Sequence, residues 1–288
     1  MSPSLTPPVV VLGATSLVGR FLLPRLAEAG TRAVAVSRRA PPADLAGLVD
    51  WVVADIEGAD WSARAPASAT VFALSPLWAT AVAAPALAAK GMSRLVAFSS
   101  TSVFTKASSS VASERAVAQR LADAEAAVAR LCEAEGVAWT LLRPTMIYAE
   151  GRDGNVSRLA RLIARWRVLP LAGKGEGLRQ PVHADDLAAG AVAAALRPET
   201  RRKAYDVPGG ETLSYREMGR RLFEAQGLRP LILPVPPLLW RLGLAAARPL
   251  LPGATAAMGE RMAADLTFDG RPAARDFGWA PRPFRPRF

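Results

Sequence analysis

Residues 13–19 read Gly13-Ala14-Thr15-Ser16-Leu17-Val18-Gly19 and directly follow the apolar run 9–12. A glycine-bounded turn between a strand and a helix lets backbone approach a pyrophosphate while helix amides point at it. Gly13 supplies the tight turn, and Gly19 lets the following helix pack closely. Ser16 stands where a second glycine is usual, and its hydroxyl can donate to a phosphate. Thr15, Leu17 and Val18 complete the cradle. The next apolar run ends Val36-Ser37-Arg38-Arg39. A carboxylate at that point would hold a ribose 2′-hydroxyl. Ser37 and Arg38, with Arg39 as a second cation, are suited instead to a 2′-phosphate. The expected ligand is therefore NADP(H), with NAD(H) second. Asp55, after a third apolar run, is placed to meet the adenine edge.

The elements that must position these residues follow from the pattern. Apolar runs at 9–12, 32–36, 49–53, 70–74, 95–98 and 139–142 read as strands. Amphipathic stretches at 17–29, 79–90 and 112–135 read as helices between them. This alternation predicts an α/β fold: a Rossmann-type, doubly wound parallel sheet covered on both faces. Residues 1–150 are expected to form the dinucleotide-binding domain. Residues 151–288 should complete the sheet and form a small C-terminal substrate lobe, with helices near 153–165, 185–196 and 215–225. Ligands of such sheets sit at the carboxyl ends of the strands.

Composition narrows the classes. The chain has 288 residues, enough for a large core, and 51% are hydrophobic. The 36 basic and 25 acidic residues give +11, which can attract phosphorylated ligands or anionic lipid. No basic tract with interleaved aromatics appears, so nucleic acid is not an expected partner. Cys132 is the single cysteine, which excludes an internal disulfide and a thiolate metal cluster. No metal site is expected. No secretory signal is visible at the N-terminus, and the expected location is the cytoplasm.

Four motifs together resemble the short-chain dehydrogenase/reductase superfamily, closest to its extended and atypical epimerase/dehydratase-like branch. They are the 13–19 turn, Phe98-Ser99-Ser100-Thr101-Ser102-Val103-Phe104, Leu142-Arg143-Pro144-Thr145-Met146-Ile147-Tyr148, and Gln180-Pro181-Val182-His183-Ala184-Asp185-Asp186-Leu187. The chain is also similar to the nucleotide-binding accessory subunit of respiratory complex I. The resemblance implies that Ser100 offers a hydroxyl to the substrate oxygen, with Ser99 beside the cofactor. It implies that Pro144 and Thr145 lie along the nicotinamide, and that Leu74 and Ser75 form the cofactor turn after the fourth strand. His183, the only histidine, and Asp186 belong to a segment that steadies the junction between lobes.

The family's proton donor is a tyrosine four residues before a lysine. Aligned on Glu125, those places hold Val117 and Leu121, and neither transfers a proton. Tyr148 and Lys106 become the alternative acids. Two readings stay open: an atypical NADP(H)-dependent oxidoreductase acting on a small or apolar carbonyl or alcohol, or a non-catalytic dinucleotide-binding subunit of a larger assembly. Nucleotide-sugar epimerisation is a third, weakened by the missing pair.

The stretch 228–258 is rich in leucine but is broken by six prolines and by Arg229, Arg241 and Arg248. It falls short of the ~20 uninterrupted apolar residues of a spanning helix. Core packing of the small lobe is the first expectation for it, and an apolar substrate pocket or peripheral lipid contact the second. Trp78, just after the fourth strand, is expected to narrow the cleft against a bulky nucleotide-sugar. A homodimer is a further partner expectation.

Overall fold

The computed structural model describes residues 5–58, 60–236, 238–240, 259 and 262–288. Arg241 and Arg248, with the leucines at 242, 244, 250 and 251, lie outside the described residues.

Seven parallel strands form the central sheet: β1 (Val9–Leu12), β2 (Ala33–Ser37), β3 (Asp50–Val53), β4 (Thr70–Ala73), β5 (Arg94–Phe98), β6 (Ala138–Pro144) and, much later in the chain, β11 (Lys203–Val207). Their spatial order is β11-β6-β5-β4-β1-β2-β3. Every residue of β1, β4 and β5 is buried. Strands buried on both faces need continuous apolar runs rather than alternation, and Val9-Val10-Val11-Leu12 is such a run.

Helices cover both faces. On one side, α1 (Gly19–Glu28) packs with α7 (Ala184–Leu196), and α9 (Arg271–Phe277) joins them. Their shared core includes Leu22, Leu23, Leu26, Leu187, Phe277 and Trp279. On the other side, α3 (Leu77–Ala89) packs on α5 (Ala112–Ala134) over Leu87, Leu121, Val128 and Cys132. The short α2 (Trp61–Arg64) and α4 (Ser102–Thr105) lie between strands. The chain winds one way from β1 through β2 to β3 and the other way from β4 outward. The reversal falls between β1 and β4, where such sheets open a crevice.

The later chain contributes to two places. β11 and α7 return to the sheet, while a separate core forms around Ile163, Leu171, Leu222, Phe223 and Phe284. That core is built by α6 (Val156–Trp166) and α8 (Tyr215–Glu224). Beside it, β8 (Leu169–Ala172) runs parallel to β13 (Ile232–Val235). Besides β8 with β13, two pairings of two-residue strands tie the lobe down: β7 (Ile147–Tyr148) with β10 (Val182–His183), and β9 (Leu178–Arg179) with β12 (Leu213–Ser214). Asp153 starts α6 by accepting from the N–H groups of Asn155 and Ser157.

Candidate functional site

At the strand reversal a cleft of about 410 Å³ is lined by the turns that follow four strands. The β1 turn contributes Gly13, Thr15 and Ser16, the β2 end Ser37, Arg38 and Arg39, the β3 end Asp55, and the β4 end Leu74, Ser75 and Trp78.

Gly13 has φ +68°, and a Cβ there would meet the Ser75 nitrogen at 2.5 Å. Only glycine satisfies both the left-handed backbone and this approach between the β1 and β4 turns. A Cβ on Gly19 would lie 2.1 Å from the Ala14 carbonyl oxygen, so Gly19 closes the turn onto the helix. Ser16 Oγ accepts from the Gly19 N–H at 3.2 Å, which leaves the hydroxyl hydrogen free to donate. Among the described residues, the N–H groups of Thr15, Leu17 and Val18 have no hydrogen-bond partner. Unpaired amides at a helix start are an anion site in waiting. Leu17 lines a second recess with Thr15, Arg20 and Arg152, and Thr15 borders both. The side chain of Val18, and Gly19, lie outside both linings.

Ser37 differs from the expectation. It is buried, and its hydroxyl donates to the Arg39 carbonyl at 2.5 Å. That bond shapes the turn, and Ser37 still borders the cleft. Arg38 and Arg39 are exposed at the cleft and have no ion pair among the described residues. Asp55 Oδ1 accepts from the Glu57 N–H at 3.1 Å, which fixes the β3 turn at the cleft edge.

Ser99, Ser100, Lys106, Pro144, Thr145 and Tyr148 do not line this cleft. Most of them form a second constellation at the ends of β5 and β6. The Ser99 N–H donates to the Leu142 carbonyl, and the Thr101 N–H to that of Pro144. Ser99 Oγ donates to Glu125 Oε1 at 2.5 Å, and Arg143 holds the same carboxylate through Nε at 2.8 Å. Ser100 is half-buried, and its Oγ accepts from the Ser102 N–H at 3.1 Å. Thr145 donates to the Gln180 carbonyl. Lys106 caps the C-terminus of α4, half-buried.

Tyr148 is 1% exposed, with its ring against His183 and Phe284. Burial pushes its hydroxyl well above the ordinary tyrosine range. In this structure Tyr148 packs in the lobe core and away from the dinucleotide cleft. Val117 and Leu121 both lie on α5, the first exposed and the second buried in the core.

His183 serves the lobe junction. Its Nδ1 accepts from the Asp185 N–H at 3.1 Å, and its Nε2 lies 3.1 Å from Glu150 Oε2. Asp186 accepts from the N–H and guanidinium of Arg282. Against the cost of burial, hydrogen bonds from Arg25 and Arg282 hold the Asp185 carboxyl below its usual range.

Two features escaped the sequence reading. Arg120 on α5 stacks over Trp78, 4.2 Å from the ring centroid, at the cleft margin. Glu125, there an alignment marker, is the hub that joins Ser99 to Arg143. Only a buried carboxylate opposite a strand-end arginine could have signalled it, and no spacing rule links 125 to 143.

A family model described as NAD(P)H-binding matches residues 13–198. No protein of curated function matches the sequence. Among solved structures, MoeE5 in complex with UDP-glucose and NAD is similar, at 22% identity and a TM-score of 0.74, over 96% of this chain and 94% of that one. UDP-glucose 4-epimerase from Thermotoga maritima aligns at 16% identity and 0.73, over 95% and 93%. Epimerase Mth375 from Methanothermobacter thermautotrophicus aligns at 16% identity and 0.76, over 96% and 88%. Identities this low establish the shared fold.

Proposed function

The chain belongs to the NAD(P)H-binding family, and from that premise we propose that it is an atypical NADP(H)-dependent oxidoreductase acting on a small or apolar carbonyl or alcohol. One observation carries the cofactor preference. The end of β2 presents Arg38 and Arg39, exposed and without an ion pair among the described residues, at the cleft where NAD sites place a carboxylate. The free amides of Thr15, Leu17 and Val18, with the Ser16 hydroxyl, take the pyrophosphate. Asp55 meets the adenine edge, and Leu74 and Ser75 border the dinucleotide. Ser99, Pro144 and Thr145 are assigned to the nicotinamide side.

When bound, the dinucleotide supplies hydride transfer. Ser100 holds the substrate oxygen, because the Ser102 N–H occupies its lone pair and leaves its hydrogen to donate. Lys106 or water supplies the proton that a tyrosine would otherwise give. Phe104 is 48% exposed and faces Phe268 at 6.2 Å, which gives the serine turn an apolar wall and favours an apolar substrate.

The second reading, a non-catalytic dinucleotide-binding subunit, is favoured by Val117 and Leu121 and by the burial of Tyr148. A scan of aldehydes and ketones of increasing chain length for NADPH oxidation separates the two. Turnover that falls by roughly a hundredfold in Ser100→Ala supports the enzyme. Binding of NADPH with no turnover of any carbonyl leaves the binding subunit.

A further inference from the structure

On the small lobe, away from the dinucleotide cleft, lies a surface that neither reading uses. Helix α6 buries Val156, Ala160 and Ile163 and turns Arg161 and Arg165 to solvent. It ends at Trp166, which is 46% exposed, followed by the exposed Arg167. The chain then enters β8, whose partner is β13. The Leu169 N–H donates to the Leu231 carbonyl at 2.9 Å, and the two strands run parallel from Ile232↔Leu169. That bond seats Leu231 against the start of β8, just past the end of α6 at Trp166. Leu231 is 50% and Leu233 46% exposed, and Arg229 precedes them in solvent.

We propose that this surface docks on an anionic lipid bilayer. Trp166, Leu231 and Leu233 would enter the headgroup–acyl boundary, while Arg161, Arg165, Arg167 and Arg229 meet lipid phosphates.

Charge complementarity selects this occupant. Residues 154–175 and 225–236 contain no Asp or Glu, so no acidic side chain on these segments neutralises the arginines. None of the four arginines has an ion pair among the described residues. An exposed tryptophan among leucines and arginines is the composition of an interfacial surface, where the indole sits at headgroup depth. Arginine stems also lie along apolar surface while their heads reach phosphate. Strand addition by a second copy is disfavoured at this edge, because Pro230, Pro234 and Pro236 remove the amide donors a new strand requires. No helix among the described residues is long and apolar enough to cross a membrane, so the contact is peripheral.

The test is co-sedimentation of the full chain with vesicles of phosphatidylcholine alone and of phosphatidylcholine with about one third phosphatidylglycerol. The expected result is at least about fivefold more protein on the anionic vesicles at low salt, falling as salt is raised. Leu231→Glu with Leu233→Glu, and separately Arg161→Glu with Arg165→Glu, should each lower that binding by roughly tenfold. A thermal melt of each variant that overlays the parent shows that the fold is intact. Equal binding to both vesicles, or unchanged binding in folded variants, overturns the proposal. So does retention on a DNA duplex that matches the anionic vesicles, or a dimer in sedimentation velocity that the leucine variants dissociate.

Discussion

Gly13 joins two loops that are 62 residues apart in sequence, since its missing Cβ is what lets the β4 turn at Ser75 approach the β1 turn. Gly13→Ala should destabilise the chain by about 2 kcal/mol or more, from the left-handed backbone and the backbone clash together. A denaturant midpoint reads this loss, and cofactor binding should fall with it. Arg38 and Arg39 act differently, because they are exposed and build nothing. Their replacement should leave the melting temperature within a degree or two and act only on the ligand. Cys132 offers a check on packing. Burial pushes its thiol up to about 11, so at pH 8 it stays protonated and out of reach. Iodoacetamide should leave it unlabelled in the folded chain and label it in guanidinium; labelling in native buffer would contradict the α5 packing.

Between elements, the joints rest on polar pairs rather than on further apolar area. The Glu125–Arg143 pair links α5 to β6, with side chains only 11% and 20% exposed. Arg143→Ala leaves that carboxylate half-stranded and should cost about 2–3 kcal/mol in a chemical-denaturation curve. It should also loosen Ser99, which donates to the same carboxylate. On α8, hydrogen bonds from Arg220 and Arg221 hold the Glu217 carboxyl down to about 2. A depressed carboxylate stabilises the fold above the unfolded glutamate pKa, and that contribution is lost as pH falls through the folded value. The melting temperature should therefore drop between about pH 5 and pH 2, and Glu217→Gln should flatten that part of the profile. The strands and helices themselves were legible as runs. β1 at 9–12 and α5 at 112–134 fall where the pattern places them, because a strand buried on both faces needs a continuous apolar run and a surface helix a repeating apolar stripe. The two-residue strands at 147–148, 178–179 and 213–214 were not legible, since their pairing comes from tertiary contact and two residues carry no period.

In the whole molecule, the strand reversal between β1 and β4 gathers turns that are scattered through the first 79 residues into one cleft. The glycine turn and the arginine turn line that cleft where the sequence placed them, because each depends on local backbone or local charge. Ser37 lines the cleft, but its hydroxyl donates to the Arg39 carbonyl, a bond that sequence does not announce. For Tyr148 the place near β6 was legible, but not its burial, because the Phe284 ring against it comes from the far end of the chain. The +11 charge gains a geometry as well, with one cationic group at the cleft and another on the small lobe. Titration calorimetry of NADPH and NADH into the purified chain tests the cofactor assignment most directly. NADPH should bind at least about tenfold more tightly, about 1.4 kcal/mol, and Arg38→Ala with Arg39→Ala should erase the difference by weakening NADPH alone. Equal affinities in the parent chain, or tighter NADH, would contradict it.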